Sequence, residues 1–476
     1  MSISQFRFFI FICGCLLAKN AALIAQTDAH YWTHQFGAKG LLLNGAVIAS
    51  TEDETAVFYN PGAMTSEDDF NLSLSFLTPS YSILKTQNYL GSGNTITDRN
   101  LGFAPGLGSL GFNPGGSDVV RMAITSFTRF KSNIRFRDRV VEGIKSNPDE
   151  LFIGNLDFER RLSERWFGVG ASFKLSNILS VGVSQFMTFH SESTKLISQK
   201  ELVNKTSPNI LNLGWRNKLK YSFNAKGGMI TKLGLLLKIE DIKVGLTITS
   251  PTYNYFLSKA SYEYDDLKTY GTDSTVLVSN LSSTNLEGYK TPLSIGFGMD
   301  FPFRKSHISF SVEYFKDIDK YTVIDDRDDP FDGLATSIGI KEAPVLVVTG
   351  NKGVLNVAIG AQTELGKKIS LIWGFRTDFN QREILQNSSA AQFLSTTPNV
   401  YHFSIGNSLK IWNSTFSYGL DYAFGRKKND TQLVDFSNVT DENLFDFAGN
   451  GSVVSNYKSL NFILAYDFRF RKKKKK

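Results

Sequence analysis

Cysteine is nearly absent: Cys13 and Cys15 are the only two in 476 residues, and both lie close to the N-terminus. The remainder of the chain therefore offers no disulfide, no thiol catalysis and no thiolate metal site. Long apolar runs are missing as well. Beyond residue 25 nothing approaches the roughly 20 apolar residues of a membrane-spanning helix. Any crossing of a bilayer must then be made by strands closed into a barrel, since no other structure left to the chain satisfies its backbone in lipid. Charge of one sign is scarce in the body. The formal net charge of +7 resides in Arg7, Lys19 and Arg471–Lys476, which leaves everything between them near neutral. No basic stripe is present that could track the phosphates of a nucleic acid.

The N-terminus has the composition of an export signal. A single early charge, Arg7, precedes the apolar stretch Phe8–Ala18, and the small residues Ala21, Ala22 and Ala25 follow. This predicts a signal peptide over 1–25, with cleavage near Ala25–Gln26. Lys19 and Asn20 end the apolar stretch too early for an anchoring helix. Ile12-Cys13-Gly14-Cys15 fits a lipoprotein processing site poorly, because cysteine takes its second place.

Aromatic residues are abundant, with 39 Phe and 18 Tyr, and they favour strands over helices. Strand-length segments alternate with period two. Ile242, Val244, Leu246 and Ile248 share one face, and Lys243, Gly245, Thr247 and Thr249 the other. The same pattern sets Ile308, Phe310, Val312 and Tyr314 against Ser309, Ser311 and Glu313. At the end of the chain, Phe462, Leu464, Tyr466, Phe468 and Phe470 oppose Asn461, Ile463, Ala465, Asp467 and Arg469.

Connection lengths sort into two classes. Ser176-Asn177, Glu240-Asp241, 304–306, 366–368 and 411–413 read as short turns; near 190–225, 257–290, 317–352, 380–399 and 426–456 the stretches are long and polar. Strict alternation of short and long connections is the pattern of a bacterial barrel, with periplasmic turns and external loops. A soluble β-sandwich has no reason to sort its loops in this way. Counting strands with that alternation gives eleven from Trp166 onward and three earlier ones at 70–84, 101–112 and 119–131. The predicted fold class is all-β, a transmembrane antiparallel barrel of about fourteen strands over 70–470, with a basic periplasmic tail at 471–476 touching anionic lipid heads.

Few constellations suggest catalysis or metal binding. His190-Ser191-Glu192 resembles fragments of lipid hydrolases, but it reads as solvated polar residues at the outer end of a strand, with no orienting third group. His30 and His34 could meet a metal if they lay on a helix, and they lack carboxylate support. The acidic run Asp325-Asp326-Arg327-Asp328-Asp329 lacks the spacing of a calcium loop and reads as an external loop bridging the cations of lipopolysaccharide. The expectation is no enzyme, no metal and no cofactor.

Residues 30–64 carry a family resemblance. They open on His30-Tyr31-Trp32-Thr33-His34-Gln35-Phe36-Gly37-Ala38-Lys39-Gly40, continue through an acidic-x-x-Ala step within Glu52–Ala56, and close on Phe58-Tyr59-Asn60-Pro61-Gly62-Ala63-Met64. This resembles the N-terminal hatch of the FadL-type fatty-acid transport family, with Gly62-Ala63 in the reverse of the usual order. Trp166–Val183 and Gly227–Pro251 resemble two of the family's barrel hairpins, so the resemblance covers most of the chain. It implies an outer-membrane barrel plugged by a hatch over 26–69, passing long-chain fatty acids or other hydrophobic molecules when the hatch rearranges. Asn60, Pro61 and Gly62 are the hatch motif; Trp32, Phe36, Phe58 and Tyr59 are candidates to line a ligand pocket between plug and wall. The expected partners are a hydrophobic small molecule, outer-membrane lipid and lipopolysaccharide, with the chain a monomer. The other reading is a barrel of the same superfamily serving as a scaffold in protein secretion or surface assembly.

Overall fold

The alternating segments pair in chain order, each antiparallel to its neighbours, until the last meets the first. A computed structural model describes residues 30–470 apart from 52, 65–69, 77, 92, 105, 145–146, 208–210, 257, 272–273, 287, 326–345, 383–397, 433, 438, 441–443 and 445–450. Fourteen strands make up the ring. We number them β1 (Phe70–Ser75, continued by Thr78–Gln87), β2 (Thr95–Ala104 and Leu107–Phe112), β3 (Val120–Gly143), β4 (Glu150–Lys174), β5 (Leu179–Asn204), β6 (Leu211–Ile239), and β7 (Ile242–Thr249, Tyr253–Asn254 and Ser258–Tyr270). They continue as β8 (Ser274–Leu286 and Ser294–Phe303), β9 (Ser306–Phe315, then Ile318–Asp325), β10 (Leu346–Asn351, then Val354–Glu364), β11 (Ile369–Asp378), β12 (Val400–Ile411), β13 (Ser414–Thr431) and β14 (Ser452–Phe470). Pairing of β1 with β14, from Phe70↔Phe470 to Ser75↔Ala465 and again from Ser80↔Asn461 to Gln87↔Val454, closes the barrel.

Near the short turns the wall is apolar outside and small or polar inside. On β4, Phe167, Val169 and Phe173 are exposed while Ser172 is fully buried; on β7, Leu246 and Ile248 are exposed and Thr247 is buried. A closed ring with such an exterior spans a membrane, and it is the architecture of bacterial outer-membrane proteins. No helix among the described residues is long and apolar enough to cross one. The turns themselves are tight. Glu240, Arg304 and Trp412 each take a positive φ, near 55°, 57° and 53°, the backbone that two-residue hairpins demand.

Three expectations about the outer half are corrected. The stretches near 190–225 and 257–290 are strand rather than loop for most of their length, because β5 runs to Asn204, β6 begins at Leu211, and β7 and β8 continue as the hairpin Ser258–Tyr270 and Ser274–Leu286. The gap left between Lys131 and Trp166 is also strand, carried by β3 and β4. These strands run to 24–29 residues, whereas a tilted strand crosses the hydrocarbon with roughly 9–11. Above the membrane the alternation inverts: Phe152, Leu156 and Phe158 point inward on β4, with Asp157, Glu159 and Arg161 on its outer face. Water outside the wall now favours charge there, and the interior takes the apolar side chains.

That interior forms a second core, distinct from the lipid-facing belt. Ile134, Phe158, Leu196, Leu202, Leu219 and Phe223 pack with Val434 and Phe436 of the segment after β13 and with Val323 and Val347 of the β9–β10 hairpin. The acidic run passes, beyond Asp325, outside the described residues, as do residues 1–29 and 471–476.

Candidate functional site

Residues 30–64 hold little regular structure, only α1 (Ala38–Leu42), α2 (Ala56–Tyr59) and a single 3-10 turn at Pro61–Ala63. Besides turn bonds within the segment, several of their backbone polar groups are satisfied by the barrel. Gly37 N donates to Ser75 Oγ on β1 (2.6 Å), Ser109 Oγ on β2 donates to Glu54 O (2.9 Å), and Ser180 Oγ on β5 donates to Gly62 O (2.8 Å). On the other side Ile48 N donates to Ser311 Oγ on β9 (3.1 Å), Trp32 N to Asp378 Oδ1 on β11 (3.0 Å), and Ser404 Oγ on β12 donates to Leu42 O (2.8 Å). A segment bonded to strands from every side of a closed ring lies within it.

The Asn60-Pro61-Gly62 turn ties the segment to itself and to the wall. Asn60 Nδ2 donates to Ile48 O (2.8 Å) and to Leu235 O on β6 (3.0 Å), and its Oδ1 accepts from Gly62 N (3.0 Å). One side chain thereby ties two parts of the segment to the wall. Pro61 starts the 3-10 turn, where its missing N–H costs nothing. Gly62 leans on the β6 backbone so closely that a Cβ would lie 2.8 Å from Gly234 O. Glu54 forms the second anchor, in an ion pair with Arg121 of β3 in which both side chains are buried, with Asn71 Nδ2 also donating to it (3.2 Å). Burial still pushes the Glu54 carboxyl above its ordinary range, against the pull of Arg121. A third anchor joins Arg376 to Asn44 and to Thr33 O (3.0 Å), with Asp421 accepting from Asn44 Nδ2 (3.3 Å).

Between this segment and the wall lies a narrow cleft. Trp32, Phe58 and Tyr59 line it, and Trp166, Phe130 and Phe315 face them from the strands. Phe36 does not; it sits behind, edge-on to Phe58 with ring centroids 5.5 Å apart and 4.8 Å from Phe127. Trp32 Nε1 donates to Glu313 (2.7 Å), and Tyr59 Oη donates to Gln35 Oε1 (3.0 Å) while accepting from Phe36 N (2.7 Å). Two cations reach the same space. The Arg129 guanidinium stands 4.9 Å over the Trp166 ring and donates to Tyr31 O (2.9 Å); Lys232 Nζ donates to Phe58 O (2.9 Å).

Sequence reasoning missed these cations and the facing aromatics. Lys232 and Glu313 sit on small, polar strand faces, which was the available signal. Arg129 had none, because it is the extra residue of a β-bulge: the β3–β4 register steps from Thr128↔Arg165 to Phe130↔Glu164, and the inward parity flips there. Beside the bulge the β2–β3 ladder stops at Leu107↔Phe127, and among the described residues the outer part of β2 pairs only with β1.

The histidines differ from expectation. His190 lies mid-strand and buried, held by Glu164 at 3.2 Å and stacked on Tyr289 at 3.9 Å. Ser191 points to the opposite face and donates to Asn224 (2.7 Å), so the two cannot act as base and nucleophile. His30 and His34 are not on a helix. His30 bonds Pro398 O at 2.9 Å. The His34 ring is half-buried, with its Nε2 atom covered and without a hydrogen-bond partner among the described residues; burial, with Arg376 nearby, lowers its pKa to about 3.

Solved structures with this arrangement exist. The toluene transporter TodX of Pseudomonas putida superposes with a TM-score of 0.59 at 12% identity, over 92% of this chain and 99% of that one. A Pseudomonas aeruginosa FadL homologue gives 0.56 at 11%, over 95% and 100%. The Ralstonia pickettii toluene transporter TbuX gives 0.53 at 13%, over 92% and 99%. The fold is that of the FadL-type barrels. No family sequence model matches the chain, and no curated protein matches it by sequence. The FadL-type likeness therefore rests on shape over nearly the whole length, with little shared sequence beneath it.

Proposed function

We propose that the chain is a passive outer-membrane channel for long-chain fatty acids or other hydrophobic small molecules. In this reading residues 1–25 direct export, residues 26–69 are a hatch whose rearrangement opens the path, 70–470 are the barrel, and 471–476 trail in the periplasm. The protein acts as a monomer among outer-membrane lipid and lipopolysaccharide.

The observation that carries the proposal is the aromatic cleft between Trp32, Phe58 and Tyr59 and the wall. Apolar walls with a few placed polar groups suit a hydrophobic ligand, and Arg129 and Lys232 supply the positive charge that a carboxylate head would seek. The solved neighbours are described as transporters of toluene and as channels for monoaromatic hydrocarbons, which supports the same class of cargo. A secretion scaffold has no need of such a cleft.

The test is oleate binding to the purified protein and oleate uptake by cells lacking their own fatty-acid channel. Trp32→Ala removes a wall of the cleft and Phe36→Ala removes the support behind Phe58, so each is expected to weaken both several-fold. If the double variant binds and takes up oleate like the parent, the proposal is wrong.

A further inference from the structure

Above the membrane, bases on one side of the wall stand beside acids. On the outer faces of β3 to β7, Arg161 pairs with Glu159, Arg137 with Asp157 (3.1 Å), and Lys218 and Lys220 with Glu263, Lys220 at 2.7 Å. Lys195 lies 3.9 Å from Asp157. Exposed pairs of this kind add little stability, but they keep that side of the wall near neutral. The pattern changes where the two ends of the barrel meet.

The register of β13, β14, β1 and β2 sets their outward residues in rows. Phe424, Lys458, Ile83 and Arg99 lie side by side in one row. The row above it, farther from the periplasmic turns, holds Arg426, Asn456, Lys85 and Thr97. The four bases therefore run in a zigzag across four strands, Arg426 to Lys458 to Lys85 to Arg99, and diagonal neighbours on one face of a sheet are roughly 7–8 Å apart. All four are exposed, and among the described residues none of them is in an ion pair. Neither row carries a carboxylate. Like charges so placed repel, and nothing in the two rows offsets them.

The zigzag lies at the outer edge of the hydrocarbon. From Leu460 to the end of β14 at Phe470, a stretch of 11 residues, the outward positions Leu460, Phe462, Leu464, Tyr466 and Phe468 are apolar or aromatic. A tilted strand crosses the hydrocarbon in roughly 9–11 residues, and Lys458 is the next outward position beyond them. Directly beneath the bases runs an exposed apolar row, Tyr422, Leu460, Tyr81 and Leu101. Tyr401 and Phe424, with ring centroids 5.8 Å apart, border the patch on the β12 side, at the level where aromatic residues gather. Positive charge above and an apolar strip below match the cross-section of an anionic amphiphile standing in the outer leaflet.

We propose that this patch is a binding site for a bisphosphorylated glycolipid of the outer leaflet, the lipid A part of lipopolysaccharide, with its phosphates among Arg426, Lys458, Lys85 and Arg99 and its acyl chains along the apolar row. Guanidinium and ammonium groups donate charge-assisted hydrogen bonds to phosphate oxygens. A lipid with a single phosphate neutralises only part of the zigzag. The site straddles the β14–β1 seam that closes the barrel. It shares no residue with the aromatic cleft, and it rests on the outer-membrane setting of the barrel rather than on passage of a ligand.

The experiment measures binding of synthetic bisphosphorylated lipid A to the full chain in detergent by native mass spectrometry. The parent is expected to retain one molecule, and Lys85→Gln/Arg99→Gln/Arg426→Gln/Lys458→Gln to bind it about tenfold more weakly or worse. Monophosphorylated lipid A and phosphatidylglycerol should bind the parent several-fold more weakly than the bisphosphorylated form. Lys85→Arg/Lys458→Arg keeps the charge and should bind like the parent. Removing four bases from the paired side, Arg137→Gln/Lys195→Gln/Lys218→Gln/Lys220→Gln, should leave binding unchanged. Undiminished binding by the first variant, an equal loss in the paired-side variant, or phosphatidylglycerol bound as tightly as lipid A would overturn the site. Oleate binding is read separately: its absence would remove the transport reading and leave the glycolipid site standing, and a parent that binds oleate but no lipid A would do the reverse.

Discussion

Asn60 shows how a few side chains hold an otherwise irregular segment. Each of its polar atoms is used, and the wall answers with glycine: Cβ atoms at Gly182, Gly234 or Gly245 would strike the backbone or side chains of Ile48, Asn60, Pro61 and Gly62. The motif was legible because an Asn-Pro turn has a recognisable chemistry. Its partners on the wall were not, since they lie more than a hundred residues away. His34 carries the prediction at this scale. Its folded pKa of about 3 lies below the ordinary 6.5, so the buried neutral ring favours the packed segment fully above pH 6.5, and that contribution fades as pH falls toward 3. Amide-exchange protection across 30–64, taken relative to the intrinsic rate at each pH, should fall in the parent between pH 7 and pH 4 more than in His34→Asn. An equal loss of protection in the two would show that the ring plays no part.

Among the elements, inversion of the alternation sets the boundary between membrane and water. The sequence reading located β4 through β6 only where apolar side chains face lipid, and it stopped near Trp166, Phe189 and Lys226. Above those points the outward face turns polar, which resembles a loop when read along one strand. Only a neighbouring strand, placing Phe158 against Phe136 at a centroid distance of 4.7 Å, reveals that the polar stretch is paired. Phe158→Ala in this outer core should cost about 3–5 kcal/mol of local stability. The expected result is faster proteolysis within 134–158 and 196–223, with the membrane belt still folded. Unchanged proteolysis would mean that the outer core does not hold the extension together.

For the whole molecule, closure is the decisive property. A barrel whose first and last strands pair has no edge to fray, so the unheated protein should run faster on a denaturing gel than the boiled one and should require detergent to stay dispersed. A folded monomer freely soluble without detergent would contradict the lipid-facing belt. The sequence by itself determined the strand count, the order of turns, the lipid-facing residues and the Asn60 motif, because period two and turn chemistry are local and survive in a single chain. Tertiary structure alone decided which strand faces which part of the N-terminal segment, where the β3 bulge turns Arg129 inward, and which exposed bases meet across β13, β14, β1 and β2. Those features depend on register between distant strands, and register is an agreement between two sequences that neither states alone.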